Sequence, residues 1–232
     1  MANTKQTPKL SLRLSAAADF VRQGALVSDV GTDHAYLPIA LCLNGRIERA
    51  VASDVHEGPI ARAEENVRAY GLSDRIDTLL ADGLSGIEAY APTDILILGM
   101  GGELITQILS RAPWTKKEGL RLILQPMTHP EALRRFLWEN GYRIEAETLV
   151  LEDKIYQILC ASYTGGREDF TDLELLVGKE NLRRRDELTL ALCARWHKVF
   201  LTRAEGKRSV GENAAEDERI LSELEEYMYD RS

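Results

Sequence analysis

Short apolar runs alternate with segments of helical periodicity through the first two-thirds of the chain. Residues 25–30, 76–80 and 94–98 have the length of strands, and 95–98 is apolar throughout, as in a buried parallel strand. Between them, 57–70 spaces its apolar residues three and four apart and ends at Gly71, which predicts a helix. The alternation predicts an α/β fold with a parallel sheet.

The remaining patterns complete this domain. The sheet is expected to have seven strands in all. The other four are a strand ending at Asp54, one at 120–124, and the two strands of a final antiparallel hairpin around 152–154. Further helices are predicted at 10–21, 35–43 and 130–140, and the hairpin strands at 142–151 and 155–163. Glycines at 165 and 166 mark the expected boundary between a domain of residues 1–165 and a second of 166–232.

No strand-like run follows Asp169. The apolar spacing predicts one long amphipathic helix over 173–204, a break at 206–213, and a second helix around 220–228. Such a pair of helices would form an antiparallel, coiled-coil-like hairpin.

Candidate chemistry begins where the first strand breaks. Gly31 follows the apolar run, and Asp29, Asp33 and His34 surround it before a helical pattern starts. A glycine turn that leads into a helix gives a ligand access to bare backbone and unpaired N–H groups, as in nucleotide pockets of open α/β sheets. A plain turn remains the alternative.

Two further predicted strands also end in an acid. Asp54 lies roughly twenty residues after the Gly31 turn, where a ribose-binding carboxylate is expected. Asp82 follows the third strand, although a helix N-cap or a turn residue would explain it as well. The repeated pattern favours a binding edge.

The acidic residues limit which kind of nucleotide ligand could bind here. The dinucleotide pattern G-x-G-x-x-G is absent, and Asp29 and Asp33 would repel a pyrophosphate at the turn. S-adenosylmethionine has a positive centre and an adenosine but no phosphate, so it fits. We expect Asp29 to face its amino acid part, Asp54 the ribose hydroxyls and Asp82 the adenine amine.

Several motifs carry a resemblance to a known family. They are SDVGTDHAYLP (28–38), LSLRL (10–14), GP (58–59), ADGL (81–84), GMGG (99–102), LILQP (122–126) and DKIY (153–156). At this spacing the first two-thirds of the chain resembles the bacterial tRNA (adenine-22-N1)-methyltransferases. The family usually has Glu-Val-Asn at 54–56, where this chain has Asp-Val-His, and often Asn at Met127.

The resemblance implies a Rossmann-like, seven-stranded class I methyltransferase sheet that binds S-adenosylmethionine and methylates N1 of adenine 22 in the D-arm of tRNA. It adds Val55, Gly83 and Gly99 to the expected cofactor contacts, beside Asp29, Gly31, Asp33, His34, Asp54 and Asp82. Asp29 is also the one candidate for a catalytic, electrostatic role.

The GMGG turn lies where class I methylases hold the target atom. Enzymes that methylate amino groups usually have Asn or Asp followed by Pro-Pro and an aromatic residue there, and this chain does not. Bare glycines favour a ring nitrogen with its own lone pair, such as adenine N1. We therefore expect Met100, Gly101 and Gly102 to line the substrate site, unless the segment is only a tight turn.

Charge is unevenly distributed along the chain. The formal net charge is −8, yet residues 179–208 contain nine cations and four anions, a net +5. Arg183, Arg184 and Arg185 suit RNA phosphates, and a solvated helix face is the alternative. Arg13 could likewise be a surface residue, or reach the cofactor carboxylate or an RNA phosphate.

Composition excludes several classes. Cysteines 42, 160 and 193 are scattered and the four histidines dispersed, so we expect neither a disulfide framework nor a metal site, and a cytoplasmic location. The polar start and the short apolar runs predict no signal peptide and no membrane partner.

Three other functions stay open at this point. A small-molecule methyltransferase would bind no RNA, and a regulatory protein would bind the cofactor without turnover. A nicotinamide oxidoreductase is the least favoured of the three, because the dinucleotide pattern G-x-G-x-x-G is absent. The sequence leaves the tRNA species and the oligomeric state open, a monomer included.

Overall fold

Seven strands form one mixed sheet in a computed structural model that describes residues 6–167 and 169–229. Their bounds are β1 Ala25–Val30, β2 Ile47–Asp54, β3 Ile76–Leu80, β4 Asp94–Met100, β5 Arg121–Pro126, β6 Tyr142–Leu151 and β7 Ile155–Tyr163. The order is β3-β2-β1-β4-β5-β7-β6, with β7 antiparallel to both of its neighbours and the other pairs parallel. The predicted Rossmann-like sheet and its closing hairpin are confirmed.

Helices cover both faces of the sheet. They are α1 (Leu12–Asp19), α2 (Tyr36–Leu43), α3 (Glu57–Ala69), α4 (Gly102–Ser110) and α5 (Pro130–Glu139). Ala17 of α1, Leu37 of α2 and Val67 of α3 belong to one buried cluster, and Ile105 of α4 and Leu133 of α5 to the other. Residues 35–43 read as apolar nearly throughout because α2 is buried along most of its surface.

The chain order reverses at the centre of the sheet. β1 and β4 are parallel neighbours, with Val30 opposite Ile97. The chain leaves β1 for α2 on one face, whereas it leaves β4 for α4 on the other. A crevice is expected at this switch point, because no connection crosses the carboxyl ends of the two strands.

Two loops beside the crevice are joined backbone to backbone. The Gly102 amide donates to the Thr128 carbonyl (2.8 Å) and the Met127 amide donates to the Met100 carbonyl (2.7 Å). A Cβ on Gly102 would lie 2.2 Å from the carbonyl oxygen of His129. The loop after β5 therefore fixes the position of the GMGG turn, and only glycine fits at 102.

The chain divides into two compact units, Met1–Glu168 and Asp169–Ser232. The described residues of the second unit form four helices, α6 (Asp172–Val177), α7 (Lys179–Arg184), α8 (Glu187–Ser209) and α9 (Ala215–Tyr229).

The expectation of one helix over 173–204 is therefore wrong. Gly178, with φ 98°, separates α6 from α7, and Arg185 in the left-handed region, with φ 50°, ends α7. Asp186 then caps α8 by accepting from the Thr189 amide at 2.8 Å. The break after α8 also comes later than expected, because the helix continues through Gly206.

α8 and α9 pack as an antiparallel pair. His197, near the middle of α8, contacts Glu225 late in α9, whereas Arg203 and Arg208, further along α8, contact Asp217 and Glu218 near the start of α9. The helical hairpin is thus present, while its coiled-coil character stays a prediction.

The carboxylate of Asp217 is fully buried between these helices. It lies 3.0 Å from Nη2 of Arg203 and 2.6 Å from Nζ of Lys207. A buried charge needs such partners, so this cluster restricts how the two helices can align.

Within the described ranges, no helix is both long and apolar enough to cross a membrane.

Replacing Gly102 by Ala tests the junction of the two loops. The new methyl would collide with the His129 carbonyl, so the free energy of unfolding should fall by about 1–3 kcal/mol. Gly206→Ala is the matched control, because its Cβ would meet open space inside α8 and should stabilise by about 0.5–1 kcal/mol. Denaturant titration measures both, and a Gly102→Ala stability equal to wild type would show that the loops yield without cost.

Candidate active site

A buried carboxylate lies under the turn that follows β1. Asp29 is only 6% exposed, and its Oδ2 accepts from the Thr32 hydroxyl at 2.6 Å. The pKa of Asp29 is raised to about 6: burial is the largest cause, the Thr32 hydrogen bond opposes it, and the nearby charges of Asp33 and Asp54 contribute to the rise. The charges of Asp33 and Asp54 therefore act on the Asp29 carboxyl.

The backbone of this turn is held by the neighbouring strand. The amides of Gly31 and Thr32 both donate to the Ser53 carbonyl of β2, at 2.8 and 2.9 Å. Gly31 has φ 75°, and a Cβ there would lie 2.2 Å from the terminal methyl of Met100. Met100 of the GMGG segment thus packs against the β1 turn, so the expected cofactor and substrate segments touch.

The next two residues enter α2 through an unusual conformation. His34 and Ala35 both have positive φ, 60° and 56°, a region costly for residues with a Cβ. The His34 carbonyl accepts from Asn66 of α3 at 3.0 Å, and no side chain caps the first turn of α2. The Asp33 side chain is 91% exposed, with its Oδ1 3.1 Å from Nε2 of His34.

Asp54 ends β2 at the same edge. Its Oδ1 accepts from the His56 amide at 2.8 Å, which orients the carboxylate. Val55 beside it is 55% exposed, an apolar surface next to the acid. This pair offers a polar acceptor and a flat apolar contact side by side.

Asp82 follows β3 and is already paired. Its Oδ2 accepts from Nη1 of Arg111 at 3.0 Å, although the carboxylate is 61% exposed. Gly83, with φ 58°, packs on Ile108 of α4. A cavity of about 510 Å³ adjoins Asp82 and is lined further by Glu88, Arg111 and Trp114, among others.

The glycines of the GMGG turn differ from one another. Gly99 has φ 79°, and the atom nearest to a Cβ there would be Nη1 of Arg13, at 3.6 Å. Gly101 is partly exposed, and its Cβ would lie 3.1 Å from the Thr128 hydroxyl. Gly102 is buried against the loop after β5, so packing explains that glycine without any ligand.

Sequence reasoning named only Arg13 from a cluster beside Gly99 and missed its partners. Arg13 donates to Gln125 at 2.8 Å, and its guanidinium carbon lies 5.6 Å from the centre of the Tyr156 ring. Glu152 and Lys154 complete the group. Its members come from α1, β5 and the β6–β7 hairpin, and all but Glu152 lie within the motifs LSLRL, LILQP and DKIY.

The three arginines at 183–185 lie in the second unit. Arg183 pairs with Glu180 at 2.8 Å and Arg184 with Asp186 at 3.2 Å, while the Arg185 guanidinium carbon lies 5.0 Å from the Tyr227 ring centre. The first two are exposed to solvent.

The edge formed by the carboxyl ends of the parallel strands therefore combines three carboxylates, a turn with positive φ angles and the GMGG segment. Carboxylates repel phosphates and attract cations and hydroxyl donors. In the ranges 6–167 and 169–229, no group of three or more His, Cys, Asp or Glu side chains could hold a metal ion.

Comparison with known proteins gives a consistent result. A family model described as a methyltransferase domain matches residues 10–159. The tRNA (adenine(22)-N(1))-methyltransferase of Bacillus subtilis is 39% identical over 156 residues, which is 66% of this chain and 65% of that protein. The aligned region thus spans slightly under two-thirds of that relative.

Solved structures match over nearly the whole chain. The crystal structure of the B. subtilis m1A22 tRNA methyltransferase has a TM-score of 0.80 and 31% identity, covering 95% of this chain and 96% of that one. A candidate tRNA (m1A22) methyltransferase of Streptococcus pneumoniae, in complex with S-adenosyl-L-methionine, has a TM-score of 0.85 and 32% identity, covering 95% and 100%.

The family model spans more than half of the chain, and the two solved structures match it over 95% of its length at more than 30% identity. The chain therefore belongs to the tRNA (adenine-22-N1)-methyltransferase family.

Proposed function

We propose that the protein transfers a methyl group from S-adenosylmethionine to N1 of adenine 22 in tRNA. One observation supports this proposal: the acidic turn at Gly31 and the glycine turn after β4 lie at the same edge of the sheet. Met100 of the glycine turn packs directly against Gly31. The names of the relatives supply the substrate and the position of the base.

The residues present fit the cofactor. Asp29 would hold the amino group, Asp54 the ribose hydroxyls and Asp82 the adenine amine, with Val55 against the adenine face. Gly31, Asp33, His34, Gly83 and Gly99 supply backbone and walls around them. When bound, S-adenosylmethionine supplies a methyl group activated by its sulfonium.

The acceptor site needs space more than acid–base chemistry. N1 of adenine has its own lone pair, so no base has to remove a proton before attack. The protein's task is then to hold the adenine ring, flipped from its stack, in line with the methyl group. Gly99 and Gly101 leave room for the ring, while Gly102 and the Thr128 loop fix the turn.

The cytoplasm is the proposed compartment. Free tRNA is found there, and Cys42, Cys160 and Cys193 are all free thiols in the interior, as in a reducing environment.

The activity is tested with purified protein, methyl-labelled S-adenosylmethionine and a tRNA transcript that has adenine at position 22. Digestion to nucleosides should show label in N1-methyladenosine, and a transcript with guanine 22 should stay unlabelled. Label on both transcripts, or cofactor binding without transfer to any tRNA, would contradict the proposal.

The raised pKa of Asp29 gives a pH-dependent prediction. Because the folded pKa is about 6 and the unfolded value 3.8, wild-type stability should fall between pH 4 and 6 and stay lower above that. The Asp29→Asn side chain cannot ionise, so the variant does not lose this stability as the pH rises. The unfolding free energy of the variant minus that of wild type should therefore increase by about 3 kcal/mol between pH 4 and pH 8.

The same variant should bind S-adenosylmethionine more weakly at pH 8, since it lacks the charge opposite the amino group. Urea titrations at the two pH values and calorimetry measure these effects. Asp74→Asn, at an exposed residue between α3 and β3, is the control and should show no pH-dependent gain. Parallel stability curves for wild type and Asp29→Asn would refute the buried charge.

Filling the acceptor turn should abolish transfer. Gly101→Val should fold and bind cofactor but lose methylation, because the side chain would occupy the space of the adenine ring. Gly101→Ala combined with Thr128→Ala separates this effect from crowding by the Thr128 hydroxyl, 3.1 Å from the new Cβ. If Gly101→Val retains full turnover on tRNA, the segment is only a structural turn.

The second unit is proposed to bind tRNA phosphates. Phosphate contacts give position and affinity without reading sequence, and exposed Arg183 and Arg184 extend from the net +5 segment. Changing Arg183, Arg184 and Arg185 together to Glu should weaken tRNA binding and flatten its salt dependence, with unchanged cofactor affinity.

Filter binding at several salt concentrations measures this effect. Reversal of three other exposed arginines, Arg49 on β2 and Arg62 and Arg68 on α3, is the control for net charge. An identical salt slope for wild type and the triple variant would assign these arginines to packing.

A further inference from the structure

The tip of the β6–β7 hairpin places a cation at the edge where the parallel strands end. β7 runs antiparallel to β5, so the first residues of β7 lie beside the loop that follows β5. Lys154 directly precedes β7, and its Nζ donates to the Met127 carbonyl of that loop at 3.4 Å. The Met127 amide in turn donates to the Met100 carbonyl at 2.7 Å. Lys154 therefore lies on the loop that forms one wall of the GMGG turn.

The Lys154 side chain is held on a second side. Its Nζ lies 5.2 Å from the centre of the Tyr156 ring, within the range of a cation–π contact. The Glu152 amide donates to the Lys154 carbonyl at 3.1 Å, which closes the turn and fixes the backbone. Because the side chain is half-buried and already oriented, little ordering is needed when a ligand arrives.

The two acids that precede Lys154 have other partners. Glu152 accepts from the Arg13 amide at 2.7 Å, and Asp153 accepts from the Tyr156 hydroxyl at 2.8 Å. In the part of the chain that the structure describes, no carboxylate forms an ion pair with Lys154. An ammonium has three N–H donors, and here one carbonyl accepts from it. A half-buried cation with spare donors and no counter-ion is suited to bind an anion.

We propose that Lys154 binds one of the two backbone phosphates that flank adenine 22 of the tRNA, an inference that rests on the proposed function. When the adenine is flipped into the space at Gly99 and Gly101, its ribose and phosphates stay outside the turn. Lys154 lies on the loop beside this turn, so the charge of the ammonium meets the charge of the phosphate there. The contact holds the flipped nucleotide by its backbone and does not read the base.

This contact differs from the one proposed for the second unit. Arg183 and Arg184 contribute affinity for the tRNA as a whole, whereas Lys154 fixes the one nucleotide that receives the methyl group. Lys154→Met should therefore lower kcat/KM on tRNA by about 10- to 100-fold, as expected for the loss of a charge-assisted hydrogen bond. The salt slope of tRNA binding should fall by about 1, the value for a single phosphate contact.

A tRNA with one uncharged linkage tests the pairing. A methylphosphonate replaces the phosphate on the 5′ side of adenine 22 in one ligated tRNA and on the 3′ side in another. The sugar that precedes each phosphonate is 2′-O-methylated to keep the linkage stable, in these tRNAs and in an all-phosphate reference. For the wild-type protein, one of the two replacements should lower kcat/KM by about 10- to 100-fold relative to the reference. For Lys154→Met, which has already lost the contact, the same replacement should have no further effect.

Two variants serve as controls. Lys154→Arg keeps the charge, so most of the sensitivity to the phosphonate should remain. Lys117→Met removes an exposed lysine that precedes β5, at the opposite edge of the sheet, and should behave as wild type with every tRNA. Calorimetry with S-adenosylmethionine should give the wild-type affinity for all three variants, which shows that they are folded.

The outcomes are distinct. A wild-type protein that transfers no methyl group to unmodified tRNA would refute the proposed function itself. If wild type is active and neither phosphonate lowers its kcat/KM, or if Lys154→Met loses the same further factor as wild type, the phosphate assignment alone is overturned. A Lys154→Met variant that binds S-adenosylmethionine more weakly and stays sensitive to the phosphonate would place the lysine at the cofactor instead.

Discussion

The reversal of chain order between β1 and β4 is the constraint on which the site depends. Parallel strands bring all their carboxyl ends to one edge, and helices that leave in opposite directions keep the edge open between these two strands. Asp29, Asp54 and Asp82 are distant in sequence, but they all lie at this edge because each is at or just after the end of a parallel strand. Met100 then joins the two central turns by packing on Gly31.

Much of this arrangement could be predicted from the sequence, because apolar runs and glycine stops are local signals. The strands at 76–80, 142–151 and 155–163 begin and end where their patterns do. The C-terminal helices show the limit of periodicity. Apolar spacing continues through Gly178 and Arg185, although positive φ at both residues breaks the helix there.

The contacts of the site were less predictable for a physical reason. That Asp29 would be buried follows from its strand, but its Thr32 partner and raised pKa depend on the shape of the turn. The Arg13–Gln125 pair joins residues 112 positions apart. Apolar periodicity placed Arg13 in a helix, and it could not tell which neighbour that helix would meet.

The buried Asp217 has a consequence for the shape of the second unit. If α9 slid along α8 by one turn, about 5.4 Å, this buried carboxylate would lose at least one of its two cationic partners, because Arg203 and Lys207 are themselves one turn apart. This cluster therefore fixes the register of α8 against α9. The charged side chains on the outer surfaces of α8 and α9 therefore keep fixed positions relative to one another.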